Sequence, residues 1–142
     1  MSTEDAVLIV EIGGCPYGLP LKAVERVLPM AYVLPVPDSG EGLLGMLNLH
    51  GDVLPVVDPR RRLGLSTPNI ASDHRLIVVC PVDRTAERFL MWVDQVDEVF
   101  EGELTVVPAG DTNPLVPHVL RRGDQMVPIL APSAFEPRRR AR

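Results

Sequence analysis

Groups that carry chemistry are scarce in this chain of 142 residues. Cys15 and Cys80 are its two cysteines, without C-x-x-C spacing. Isolated thiols exclude a disulfide framework, and in a reducing compartment they are expected to be small buried hydrophobes. His50, His74 and His118 share no metal-ligand spacing with one another or with the cysteines. No apolar run approaches the ~18 residues of a membrane span. The opening MSTEDAV has neither a basic n-region nor a following apolar stretch, so no secretory signal is expected. The expectation is a cytoplasmic protein that inserts into no membrane and carries no metal or cofactor.

Catalytic constellations are equally thin. The five serines lie at 2, 39, 66, 72 and 133, and none occupies a G-x-S-x-G elbow. Ser72-Asp73-His74 has the letters of a triad, but neighbours on one loop cannot adopt its geometry. Gly13-Gly14 lacks the continuation of a phosphate loop. Asp94, Asp97, Glu98, Glu101 and Glu103 crowd together without a basic neighbour. They read as a solvated acidic edge or as a contact patch for a basic partner surface. A hydrolase built on them is the competing enzyme reading; it ranks last because no pocket or oxyanion donor accompanies the carboxylates. The chain is read as a non-enzyme.

What the chain does have is valine and proline. Val occurs 20 times and Leu 18, against six aromatic residues in all. Valine is stiff at its first side-chain torsion and suits a pleated surface. Fifteen prolines are spread along the chain. Each would cost ~3 kcal/mol inside a helix, so long helices are excluded and an all-β body with short helical turns is expected. The net charge of −5 and pI near 5.1 argue against a nucleic-acid partner. Basic residues gather only at Arg60–Arg62 and in a tail over 136–142, which is expected to be disordered.

Alternation and turn residues predict strands at Val7–Ile12, Tyr17–Leu21, Val33–Val36, Leu44–Leu49 and Val53–Val57. A second set follows at Leu76–Val79, Phe89–Val93, Leu104–Val107, Val116–Arg121 and Met126–Leu130. Ala23–Leu28 (AVERVL) is read as a helical turn because its valines are three apart, and Gln95–Phe100 (QVDEVF) repeats that spacing. A displacement of 72 relates Val24 to Val96, Val27 to Val99, Leu43 to Leu115, Gly51 to Gly123 and Asp52 to Asp124. Beyond the second turn it becomes 73, pairing Pro55 with Pro128 and Pro59 with Pro132. The expectation is one domain over 1–142 with repeated halves at about 7–64 and 75–135, two five-stranded units packed together. A groove should run where they meet. Leu43, Leu44 and Met46 sit beside Gly42 and Gly45, whose small size would expose them; with Val53 they are candidate partner-binding residues.

Three segments carry a resemblance. LLGMLNLHGDVLPVVDPRRRLGL (43–65), YGLPLKAVERVL (17–28) and FLMWVDQVDEVF (89–100) resemble, in order, the conserved patterns of CheW-domain proteins. The first is fairly specific and the other two are weaker alone; together they cover nearly the whole chain. The resemblance implies two five-stranded SH3-like barrels around a shared hydrophobic core, with a groove between them and no catalytic activity. It implies a coupling scaffold in chemotaxis signalling, recruited to membrane-associated receptor arrays. Such a scaffold joins the cytoplasmic tip of a methyl-accepting chemoreceptor to the regulatory domain of a CheA-type histidine kinase. A helical hairpin laid in the groove is the matching recognition mode.

The resemblance also implies roles for Glu25 and His50. The family glutamate at the first position pairs with an arginine at the second, and here that arginine is a histidine. Leucine is likewise replaced in Asp58-Pro59-Arg60, and Trp92 stands where a smaller residue is common. Two other readings stay open: a divergent member that binds a single partner outside chemotaxis, and a small β-barrel ligand-binding module.

Overall fold

The structure, a computed structural model, describes residues 6–36, 42–81, 87–101, 105–108 and 114–137. The first half supplies β1 (Val7–Ile12), β2 (Cys15–Pro20), β3 (Val24–Pro29), β4 (Leu34–Pro35), β5 (Leu43–Leu49) and β6 (Asp52–Val57). The second supplies β7 (Arg75–Val79), β8 (Phe89–Val93), β9 (Gln95–Phe100), β10 (Thr105–Pro108), β11 (His118–Arg122) and β12 (Gln125–Ile129). Among the described residues helix is confined to short 3₁₀ turns such as Leu21–Ala23 and Pro132–Phe135, as the prolines require. The all-β class expected from composition is the class observed.

Two six-stranded sheets result, ordered β10-β11-β12-β2-β1-β9 and β3-β7-β8-β6-β5-β4. Moving six places along the element list converts one order into the other. Every pairing recurs: β1–β2 as β7–β8, β1–β9 as β7–β3, and parallel β12–β2 as β6–β8. Each sheet therefore draws strands from both halves of the chain. The halves are interleaved rather than set side by side.

Each sheet has six strands where five were expected, because AVERVL and QVDEVF are β3 and β9 instead of helical turns. The cause is a bulge. In β3 the register passes from Val24↔Val79 to Arg26↔Val78, so Glu25 is the extra residue. In β9 it passes from Val10↔Val96 to Ile9↔Glu98, so Asp97 is extra. An inserted residue returns valines three apart to one face, opposite Val79 and Ile77 or Val10 and Leu8. Helical spacing here records a bulged strand.

The inner strands are buried on both faces and read as near-continuous apolar runs. Leu8, Val10 and Ile12 of β1 meet Ile77, Val79, Phe89 and Met91 in a central cluster shared by the two sheets. The other face of β1, through Val7 and Ile9, packs with Leu120, Val127 and Ile129. The other face of β7 and β8, through Leu76, Val78, Leu90 and Trp92, packs with Leu47, Leu54 and Val56. The first sheet curls: Arg122 of β11 reaches Glu98 of β9 at 2.8 Å, and its guanidinium lies 5.1 Å from the Phe100 ring centre. Both cysteines are free, but Cys15 is exposed and Cys80 half-buried, so two buried thiols are not what the fold contains.

Candidate functional site

β5 and β6 form a hairpin whose two faces differ in use. Leu47, Leu54 and Val56 point into the core. On the opposite face Leu34, Met46 and Pro55 stand in one row across β4, β5 and β6, with Val53 beside them. The row exists because Gly45 has no Cβ: one placed there would meet the Leu34 carbonyl oxygen at 2.2 Å. Met46, Val53 and Pro55 of this face, with Leu43, form one wall of an open groove of about 990 Å³. Leu115, Ala134 and Pro137 line the other side. Val53 is 60% exposed, which is unusual for valine in a strand and leaves its apolar surface without cover.

At one lip of the groove Arg88 draws three strands together. Its Nη1 donates to both oxygens of Glu25 at 3.0 Å, and its Nη2 to Asp52 Oδ2 at 2.8 Å. Glu25 is the bulge residue of β3 and Asp52 opens β6, while Arg88 directly precedes β8. The hydrogen bond that Arg88 donates to Glu25 is the largest of the effects raising the Arg88 pKa further above its ordinary value, so the guanidinium stays charged across the cellular range.

A second guanidinium, that of Arg60, is fully buried. Arg60 donates to Asp58 Oδ1 at 2.8 Å, hydrogen-bonds Asp94, and lies 4.3 Å above the Trp92 ring. Thr67 donates to the other Asp58 oxygen at 2.7 Å, and the Gly13 N–H to Asp94 at 2.8 Å. Trp92 Nε1 donates to His74 Nδ1 at 2.9 Å. Burial opposes ionisation of Asp94, but Arg60 and the Gly13 and Gly14 N–H groups outweigh it and hold the carboxyl below its ordinary range. This network fastens the segment after β6 to the end of β8.

Of the residues singled out from sequence, Leu43, Met46 and Val53 line the groove, and Glu25 sits at its lip. Leu44 does not: it packs with Leu28, Met30 and Leu49 against the Leu47–Trp92 cluster. His50 is exposed at the tip of the β5–β6 hairpin, and Glu25 is bound by Arg88 instead. His50 and Gly51 have φ of +53° and +96°, the pattern of a type I′ turn, and histidine enters that region more readily than most residues. Asp97, Glu98 and Glu101 are exposed on or beside β9, but Arg122 neutralises Glu98. Asp94 leaves the acidic patch altogether, because Arg60 turns it inward. Glu103 lies outside the described residues.

Sequence reasoning missed Arg88, Asp52 and the buried role of Arg60. A signal existed for Arg60, since Asp-Pro-Arg follows a buried strand, but a run of three arginines reads as surface. Among the described residues no group of three His, Cys, Asp or Glu is placed to hold a metal ion. No helix among them is long and apolar enough to cross a membrane.

Residues 6–136 match the family described as CheW-like domain. A chemotaxis protein CheW of Helicobacter pylori is 30% identical over 122 residues, 84% of this chain and 73% of that protein. The CheW of Bacillus subtilis is 23% identical over 137 residues, 94% and 88% of the two chains. The crystal structure of scaffolding protein TtCheW from Thermoanaerobacter tengcongensis superposes with a TM-score of 0.76 at 23% identity, covering 89% of this chain and 88% of that one.

Proposed function

The chain belongs to the CheW-like domain family, and from that premise we propose that it joins a chemoreceptor tip to a CheA-type histidine kinase. Its role as a CheW-like scaffold of chemotaxis accords with the family and its relatives. The finer reading assigns the groove to the receptor: an amphipathic helical hairpin lays its apolar stripe over Met46, Pro55 and Val53. The observation that carries it is the uncovered apolar row on the outward face of β4–β6. The kinase regulatory domain is assigned to apolar strand ends such as Met126, which is 59% exposed. Both partners place the protein in the cytoplasm, drawn to membrane-associated arrays. The repeated pairings and the matched bulges support a further part of the reading, that residues 7–64 and 75–135 are copies of one unit.

The test is reconstitution. Purified protein, the soluble signalling tip of a methyl-accepting receptor and the kinase should form a ternary complex that raises autophosphorylation. Binding of the tip alone, or of the kinase alone, would reduce the role to that of a single-partner member. Binding of neither would overturn the proposal.

A further inference from the structure

The clamp of Glu25, Arg88 and Asp52 lies at the lip of the groove assigned to the receptor, and the inference drawn from it rests on that assignment. Arg88 lines the groove itself, so anything docked there passes over its guanidinium. Its nitrogens are committed to two carboxylates, one on the β3 edge strand and one at the start of β6. The strand order places β7 and β8 between β3 and β6, so Arg88 fastens together residues the ladder itself does not join. One cation shared between two carboxylates leaves a net negative charge on the lip. The Asp52 side chain is 66% exposed, and its second oxygen accepts no hydrogen bond among the described residues. Glu25 stands at a bulge, where backbone pairing alone fixes a side chain least.

We infer that Arg88 is the positioning residue of the partner surface. It holds Glu25 and Asp52 together at the groove lip, where Asp52 receives a basic side chain of the docked helical hairpin. The guanidinium at this lip comes from the residue preceding β8, and His50 is a turn residue. Lysine is a compact point charge without the planar fork, so it cannot engage both carboxylates in the same geometry. Lysine at position 88 should therefore restore charge but only part of the positioning.

The experiment is calorimetric titration of the soluble receptor signalling tip into the full chain. Arg88→Ala should weaken binding about tenfold, and Arg88→Lys should recover part of the loss. Asp52→Asn should weaken binding and flatten its dependence on salt, since a charge contact is removed. Asp124→Asn, at the other hairpin, should leave affinity unchanged. Thermal unfolding of all variants should stay close to the parent, because the three side chains are partly exposed. If the parent chain fails to bind the tip, the groove assignment itself fails. If the parent binds and Arg88→Ala binds equally well, the groove assignment stands and the inference is overturned. A fall in affinity that only tracks a fall in melting temperature, with no recovery in Arg88→Lys, also overturns it.

Discussion

At the β5–β6 end, the bulged Glu25 meets Arg88 and Asp52. At the β11–β12 end Pro16 stands in the place of Arg88, and the strand register puts Asp97 and Gln125 in the places of the two acids. The same contrast holds deeper in. Where Arg60 and Asp58 lock into Trp92 and Asp94, the other end has Ser133, Ala131, Pro20 and Lys22. There the turn after β12 is held by Phe135 in the core. Strand order, the bulges at Glu25 and Asp97 and the parallel junction are common to both ends, while a further bulge in β5 and two guanidinium networks belong to one. A ladder depends on main-chain groups that every residue has, so it tolerates exchange of side chains. A buried charge network does not, because each member is costly without the others.

The largest test of this contrast is stability. Arg60→Met should cost about 3–5 kcal/mol in urea unfolding, since Asp58 is left charged, buried and without its cation. Ser133→Ala, at the matching position, should stay within about 0.5 kcal/mol. Equal losses would mean that the network is not what distinguishes the two ends. Next in size, Leu44→Asp should cost about 1–3 kcal/mol by placing a carboxylate against the Leu47–Trp92 cluster. Loss of binding with unchanged unfolding would return Leu44 to the partner surface.

Smaller in free energy is the effect on recognition. Val53→Glu should weaken binding of the receptor tip about tenfold, or about 1.4 kcal/mol, with melting temperature nearly unchanged. Met126→Glu occupies the matching place at the other hairpin and should spare the receptor tip while weakening the kinase. A reversed pattern would exchange the assignments of the two ends. The smallest effect concerns acid. The Asp94 pKa is depressed on folding, so its contribution to stability is full above its ordinary value near ~4 and is lost as pH falls through the lower folded value. Asp94→Asn should flatten that part of the stability-versus-pH curve, which equilibrium unfolding between pH 5 and 2 would read. A curve unchanged by the substitution would show that the carboxylate gains nothing on folding.

How much of this was legible beforehand varies with the kind of signal. Strands with unbroken alternation or continuous apolar runs, such as Phe89–Val93, were placed to the residue. β3 and β9 were misread, because one inserted residue between their valines turns a period of two into an interval of three. The groove wall was partly legible, since Leu43 and Met46 flank glycines, but Leu44 shares that neighbourhood and points the other way. Arg88 gave no local sign: its partners are 63 and 36 residues away, and only the fold brings them together. Arg60 was obscured by its neighbours, which made a buried cation look like one of three at the surface.

Interleaving of the halves has a consequence for biosynthesis. β1 and β2 leave the ribosome first, yet the neighbours that complete their sheet are β9 and β12, near the far end of the chain. Until those strands are made, the opening hairpin presents two unpaired edges, the condition in which nascent β-proteins pair with the wrong strand. A truncation before β12 leaves the first sheet without the strand that joins β11 to β2. Of the elements described, the groove is therefore assembled last, when the segment after β12 closes against β5 and β6.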